Sequence, residues 1–275
     1  MTTTHIQNFY ADKLKDGYSA KTIALMHSTL RKALDSAVRD GMVARNVAAL
    51  VTPPRLTSFD AHILSVEEAR RLIDTARGSR LEALIILAIT TGLRKGELLA
   101  LRWQDVDLQE GVLYVRRTVN RYGKYGMIVS EPKTKSSRRR IVLAEIAVNA
   151  LKVHYEVQKQ RKEAARDIWE ENNLVFCNRS GKYLLPETFH KQFKNLLRKG
   201  GLPDIRLHDL RHSAASLLLA MGVHPKVVQE LLGHSSISTT LDVYSHVIPS
   251  LQREASEKMH NLLQIQDESV GKDEI

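Results

Sequence analysis

Apolar residues recur every three or four positions at Ile23, Met26, Leu30, Leu34 and Val38, which predicts an amphipathic helix from Thr22 onward, after a turn at Gly17. Gly41 then punctuates the chain. The stretch Val51 to Phe59 carries two consecutive prolines, which forbid helix continuation and mark a linker and domain boundary. A second helix opens at Ser65, where Glu68 three residues on completes a capping box and Ala69, Leu72, Ile73 and Ala76 supply the apolar stripe. Leu81 to Ile89 is almost wholly apolar, so it predicts a helix covered on both flanks and ended by Gly92.

The period then changes. Val112 to Val119 alternates as one strand, with Met127 to Ser130 and Arg140 to Ala144 as two more, and Gly111, Gly123 and Gly126 at the turns. Together they predict one small antiparallel sheet. Helical patterning resumes from Glu145 to about Trp169, while Leu174 to Cys177 reads as a strand or a buried connector. Pro186 sits in the first turn of a helix through Leu197. Further helices follow over Leu207 to Met221, Pro225 to Leu232, Ile237 to Val247 and Leu251 to Leu263, separated in part by Gly222 and Gly233. The fold class is therefore mainly α with a small antiparallel β-sheet (α+β).

Composition narrows the partner. Among 275 residues, 41 Lys and Arg oppose 31 Asp and Glu, a formal charge of +10 that favours a polyanion. At 43% hydrophobic and 26% charged, dominant disorder is excluded. The single cysteine, Cys177, excludes an internal disulfide framework and suits a reducing compartment, so the cytoplasm is expected. No apolar run reaches the length of a membrane span. Aromatics at 5% leave little material for base stacking, so phosphates and grooves are the expected targets.

Lys133, Lys135, Arg138, Arg139 and Arg140 crowd between two predicted strands, with Arg116, Arg117, Arg121 and Lys124 just before them. Such a hairpin could lie along a phosphate backbone, and charge alone reads equally as a solvated surface. In HDLRH, His208, Arg211 and His212 share one face of a helix start, a natural phosphate cradle. The His208–His212 spacing also fits a zinc pair, but Arg211 would set a fixed cation beside the metal and Asp209 stands where that motif has Glu. Alone, the segment reads as well as a capped, partly buried helix start. Arg94 follows the apolar helix, shares a face with Glu97, and would be costly to bury without an anion. His234 lies at a glycine turn and Tyr244 on the helix beyond, where a tyrosine by itself reads as a packing residue.

Four blocks, TGLRKGELLAL, EPKTKSSRRRIVL, HDLRHSAASLLLAMG and LLGHSSISTTLDVYSH, occur in one order between about Leu64 and Val247, and there the chain resembles the tyrosine recombinases of the phage integrase family. The resemblance implies a site-specific DNA recombinase that cuts and rejoins duplex DNA through a 3′-phosphotyrosyl intermediate, serving integration or excision of a mobile element. It implies Arg94 and Arg211 as catalytic arginines, Lys133 as the catalytic lysine, His208 beside Arg211, His234 at a position of His or Trp, and Tyr244 as nucleophile. Glu97 and Asp209 are expected to orient the arginines, and Lys135, Arg138, Arg139, Arg140, Arg116 and Arg117 to bind DNA. Two guanidinium groups can neutralise the charge that grows on the phosphate's non-bridging oxygens, so neither metal nor other cofactor is expected.

The same resemblance implies double-stranded attachment sites as partner, a homotetramer on DNA, and accessory DNA-bending proteins. It divides the chain into a partial helical core-binding domain (1–50), a linker (51–63), a catalytic domain (64–250) and a C-terminal helix with a polar tail (251–275). Residues 1–49 resemble only the second half of the family's core-binding domain, which reads as an amino-terminal truncation that leaves apolar surface uncovered. The rival readings are a truncated DNA-binding protein without recombinase activity, a type IB topoisomerase and a metal-dependent hydrolase.

Overall fold

The protein is described by a computed structural model over residues 1–55, 62–131, 138–244 and 248–263. It divides into two compact units, Met1–Asp60 and Ala61–Ile275. In the first, α1 (Thr3–Lys15) and α2 (Ala20–Arg39) pack through Ile6, Tyr10 and Ile23, with Ala48 and Val51 closing the cluster. Tyr10 Oη and His27 Nδ1, 2.7 Å apart, satisfy each other inside it. Val51, expected at the start of the linker, is thus part of this small core, whereas residues 56–61 of the linker lie outside the described residues. Leu25, Met42 and Leu50 stand exposed on this unit.

The second unit is built around α4 (Glu82–Thr91), on which Leu84, Ile85, Ile86 and Leu87 are all buried. A helix apolar all round can exist only where neighbours cover every side. Its neighbours include α3 (Val66–Ala76), α6 (Glu145–Ala165) and α8 (Leu207–Ala220). The capping box expected at Ser65 and Glu68 opens α3, with each side chain meeting the other residue's backbone N–H. α5 (Lys95–Ala100) follows α4 after Gly92, which ends α4 with φ +60. α7 (Pro186–Lys199) contributes Phe189, Phe193 and Leu197 to the same core. α9 (Pro225–Leu232) joins α8 in a smaller cluster of Ala215, Leu219, Val228 and Leu232, and α10 (Ile237–Tyr244) packs against both.

The β structure differs from the expectation of one sheet. β1 (Val106–Asp107), β2 (Val112–Val115) and β5 (Arg139–Val142) form a three-stranded antiparallel sheet in the order β1-β2-β5. β3 (Thr118–Arg121) and β4 (Met127–Ser130) form a separate hairpin. What reads as one strand from Val112 to Val119 is therefore two, broken at Arg116 and Arg117. The break lies where the chain changes sheets, and Arg117 there bonds buried Asp105 at 2.7 Å. The helix expected to reach Trp169 ends at Ala165, followed by a short 3-10 turn over Arg166–Ile168. Leu174 to Cys177 is a buried connector with isolated bridges from Leu174 to Arg102 and from Cys177 to Tyr183. The last described helix, α11, spans Ile248–Leu263.

Candidate active site

Arg94 sits at the N-cap of α5, in extended backbone, one turn from Glu97. Glu97 Oε2 accepts from the Arg94 backbone N–H at 3.0 Å, and Oε1 accepts from the Arg94 guanidinium at 2.9 Å. The other side of that guanidinium donates to the Gly233 carbonyl at 2.8 Å. Gly233 ends α9 at φ +68, a left-handed conformation that glycine adopts without strain. Arg211, on the first turns of α8, is buried and donates through Nη1 to the Gly92 carbonyl at 2.8 Å. Its Nη2 is buried with no partner among the described residues.

Arg139 also reaches this cluster. The sequence places it with the DNA-binding cations of the hairpin, but on β5 it turns inward. It donates to both Glu97 oxygens at 3.2 and 2.9 Å, and through Nε to the Leu231 carbonyl at 2.7 Å. Strand alternation explains the difference: Arg139 lies on the face of Ile141 and Leu143, whereas Arg138 and Arg140 are exposed. Burial raises the Glu97 carboxyl's pKa, but Arg139 and Arg94 outweigh it and hold the group below its ordinary range. Three guanidinium groups thus surround one ionised carboxylate, and positive charge is in excess. Burial, together with repulsion from Arg94, lowers the Arg211 pKa to about 9.

His234 joins the same group. Its Nδ1 lies 2.8 Å from the hydroxyl of the buried Thr240 on α10, and its carbonyl accepts from Gln229. Burial, with the Arg211 and Arg94 charges, brings its pKa down to about 4. His208 packs edge-on against His212 with ring centres 5.0 Å apart. Burial, then His212 and Arg211, hold its pKa below the ordinary value. Both imidazoles are therefore neutral near pH 7.

Other expected residues stand elsewhere. Asp209, expected to orient an arginine of the site, instead caps α8: its oxygens accept from the Arg206 backbone N–H at 2.7 Å and from the Arg206 guanidinium at 2.8 Å. Its position in the first turn aims it at the helix start, away from Arg211. Arg117 is tied to Asp105, while Arg116 is exposed and lies over the Tyr114 ring. Arg138 pairs with Glu131 at the surface. Tyr244 closes α10, the helix that carries Thr240, and its side chain lies outside the described part of the structure. Lys133 and Lys135 likewise lie outside the described residues. The residues that the sequence reading missed are Thr240 and the brace formed by Arg139. For Arg139 a signal existed in its spacing of two and four from Ile141 and Leu143; for Thr240 none did.

Comparison with known proteins adds an independent line. The family model described as the phage integrase family matches residues 62–250. A tyrosine recombinase XerC-like protein of Caldanaerobacter subterraneus subsp. tengcongensis is 33% identical over 274 residues, covering 94% of this chain and 70% of the relative. Among solved structures, the Tn1549 transposon integrase in complex with a circular intermediate DNA superposes with a TM-score of 0.80 at 22% identity, covering 94% of this chain and 85% of that one. A lambda integrase tetramer bound to a Holliday junction superposes with a TM-score of 0.60 at 23% identity, covering 88% and 64%.

Proposed function

Because the chain belongs to the phage integrase family, the tyrosine recombinases that break and rejoin DNA at specific sites, we propose that it acts through the cluster of Arg94, Arg211 and His234 with Tyr244 as nucleophile. The observation that carries this reading is the buried Nη2 of Arg211, without a partner among the described residues, in a group whose positive charge exceeds its negative charge. A buried cation with a spare donor is costly unless an anion completes it, and a phosphodiester supplies both charge and acceptor oxygens.

In this reading Arg94 and Arg211 grip the non-bridging oxygens, whose charge grows in the transition state. The Thr240 hydroxyl donates to Nδ1 of His234, which leaves the Nε2 proton for the phosphate. His208, neutral at pH 7, takes the proton of the Tyr244 hydroxyl as that oxygen attacks phosphorus. Lys133 protonates the departing 5′-oxygen. The new P–O bond to tyrosine replaces the broken one, so the energy of the phosphodiester is kept and a 5′-hydroxyl from another strand reverses the step. Glu97 and Arg139 act as positioning residues that fix Arg94.

We assign residues 1–51 to a helical core-binding domain, 52–63 to the linker and 64–250 to the catalytic domain, and place the protein's work in the cytoplasm on double-stranded attachment sites. The assembly is a homotetramer on DNA, with residues 251–275 as a C-terminal helix and tail docking on a neighbouring protomer. Exposed Met259, Leu262 and Leu263 on α11 support that docking, as does the lambda integrase tetramer. Lys135, Arg138, Arg140 and Arg116 remain candidates for backbone contacts.

The test is a nicked suicide substrate. The protein should form a covalent DNA adduct that Tyr244→Phe abolishes, and Arg211→Ala should slow its formation by about 10²–10³-fold while changing DNA affinity far less. Equal losses of rate and affinity in Arg211→Ala would reduce that arginine to a binding residue.

A further inference from the structure

A second group of arginines lines a cavity of about 370 Å³ that shares no residue with the cluster around Arg94 and Arg211. Arg80 comes from the turn before α4, Arg161 from α6, and Arg179 from the turn after the Leu174–Cys177 connector. No Asp or Glu lines this cavity. None of the three guanidinium groups is paired with a carboxylate among the described residues. Burial and the neighbouring Arg80 charge both push the Arg161 pKa down, so like charges meet there without a counterion.

The other titratable groups facing the cavity do not supply that counterion. His154 places Nε2 2.8 Å from the Val175 carbonyl, and burial first of all lowers its pKa, so it is neutral. Cys177 accepts from Gln158, and burial pushes its thiol up despite the nearby arginines, so it too is uncharged. The Asn178 side-chain carbonyl is consumed by the backbone N–H groups of Ser180 and Lys182. What the cavity presents is guanidinium and neutral polar groups over an apolar floor that includes Leu81 and Phe176.

We propose that this cavity is a binding site for a phosphate group, carried either by a free small molecule or by a nucleic-acid backbone. Guanidinium groups match phosphate geometry with paired N–H donors, and three of them lining one cavity without a carboxylate, Arg80 and Arg179 at its exposed rim and Arg161 half-buried, select an anion over any cation. The inference stands independently of the function proposed above, because it uses neither the catalytic arginines nor Tyr244.

Cys177 is the chain's single cysteine and lines the same cavity, so its alkylation by iodoacetamide reads occupancy directly. At constant ionic strength, inorganic phosphate replacing chloride should slow alkylation, by about tenfold when phosphate is about ten times its Kd. The ratio of rates with and without phosphate should return to one in Arg161→Gln/Arg179→Gln. Phosphate should also raise the Tm of the wild-type chain more than that of the variant, and Arg179→Gln alone, on an exposed turn, repeats both measurements with least risk to folding. A short duplex in phosphate-free buffer separates the sources. Protection by the duplex assigns the site to nucleic-acid backbone, and protection by inorganic phosphate with an inert duplex assigns it to a small molecule. The proposal is overturned if neither slows alkylation nor raises Tm, or if both effects persist in the variants.

Discussion

Asp105 and Glu97 are both carboxylates at 2–3% side-chain exposure ringed by arginines, yet the two surroundings are built in opposite senses. Around Asp105 the cations face outward: Arg117 is 24% exposed and Arg116 54%. Solvent solvates these arginines, and their role is to let one carboxylate be buried behind the break between β2 and β3. Around Glu97 two of the three cations are enclosed and Arg94 alone, 37% exposed, reaches solvent. Arg139 is 7% exposed and Arg211 4%, so a single carboxylate holds down more cation than it can neutralise. Around Asp105 the surplus positive charge is left to solvent, although Asp105 Oδ1 has no hydrogen-bond partner among the described residues; around Glu97 most of that charge is enclosed, with Arg211 Nη2 likewise without a partner among the described residues. A count of ion pairs would treat them alike, whereas the direction in which the surplus charge is exposed separates structure from chemistry.

This contrast can be broken by mutation. Arg139→Ala strips Glu97 of its buried bidentate partner and should cost about 3–5 kcal/mol, read as a lowered urea midpoint. A loss as small as that of a surface pair would mean that the Glu97 cluster is no different from the Asp105 one. Asp105→Asn should cost less, about 1–2 kcal/mol, because its arginines stay solvated when their partner loses charge.

A third way to probe the contrast is a pH slope. In the folded protein His234 is held at about 4, below its ordinary 6.5, so between these values the unfolded chain binds a proton that the folded chain refuses. The stability this group contributes is fully present above pH 6.5 and drains away as pH falls toward 4. His234→Gln should flatten that slope in urea titrations. Phosphate bound at the cluster should raise the His234 pKa, measurable by NMR, whereas a site without anion affinity would leave it unmoved.

Much of the architecture was legible because local signals and tertiary needs agree. Ser65 and Glu68 announce a helix start, and the apolar run from Leu84 to Leu87 demands cover on every side. The strand from Val112 failed as a single element because alternation records which face is buried, not which sheet a strand joins, and the chain moves from one sheet to another at Arg116. Arg139 was hidden by its neighbours. Three arginines in a row look like a phosphate-binding run, yet a two-residue period turns the middle one toward Ile141's side. Asp209 shows the converse difficulty: beside Arg211 in the chain, it serves the helix start and bonds Arg206. Thr240 could not be found from its spacing, since its bond to His234 depends on how α10 folds back after Gly233.

The two arginines of the cluster are held by each other's neighbourhoods. Arg94 reaches across 139 positions to the Gly233 carbonyl, and Arg211 reaches back across 119 to that of Gly92. On the ribosome, Arg94 therefore emerges long before the carbonyl that orients it has been synthesised. A nascent or prematurely terminated chain lacks the crossed tethers, so the two arginines take up their mutual geometry only once both ends of the domain have been made.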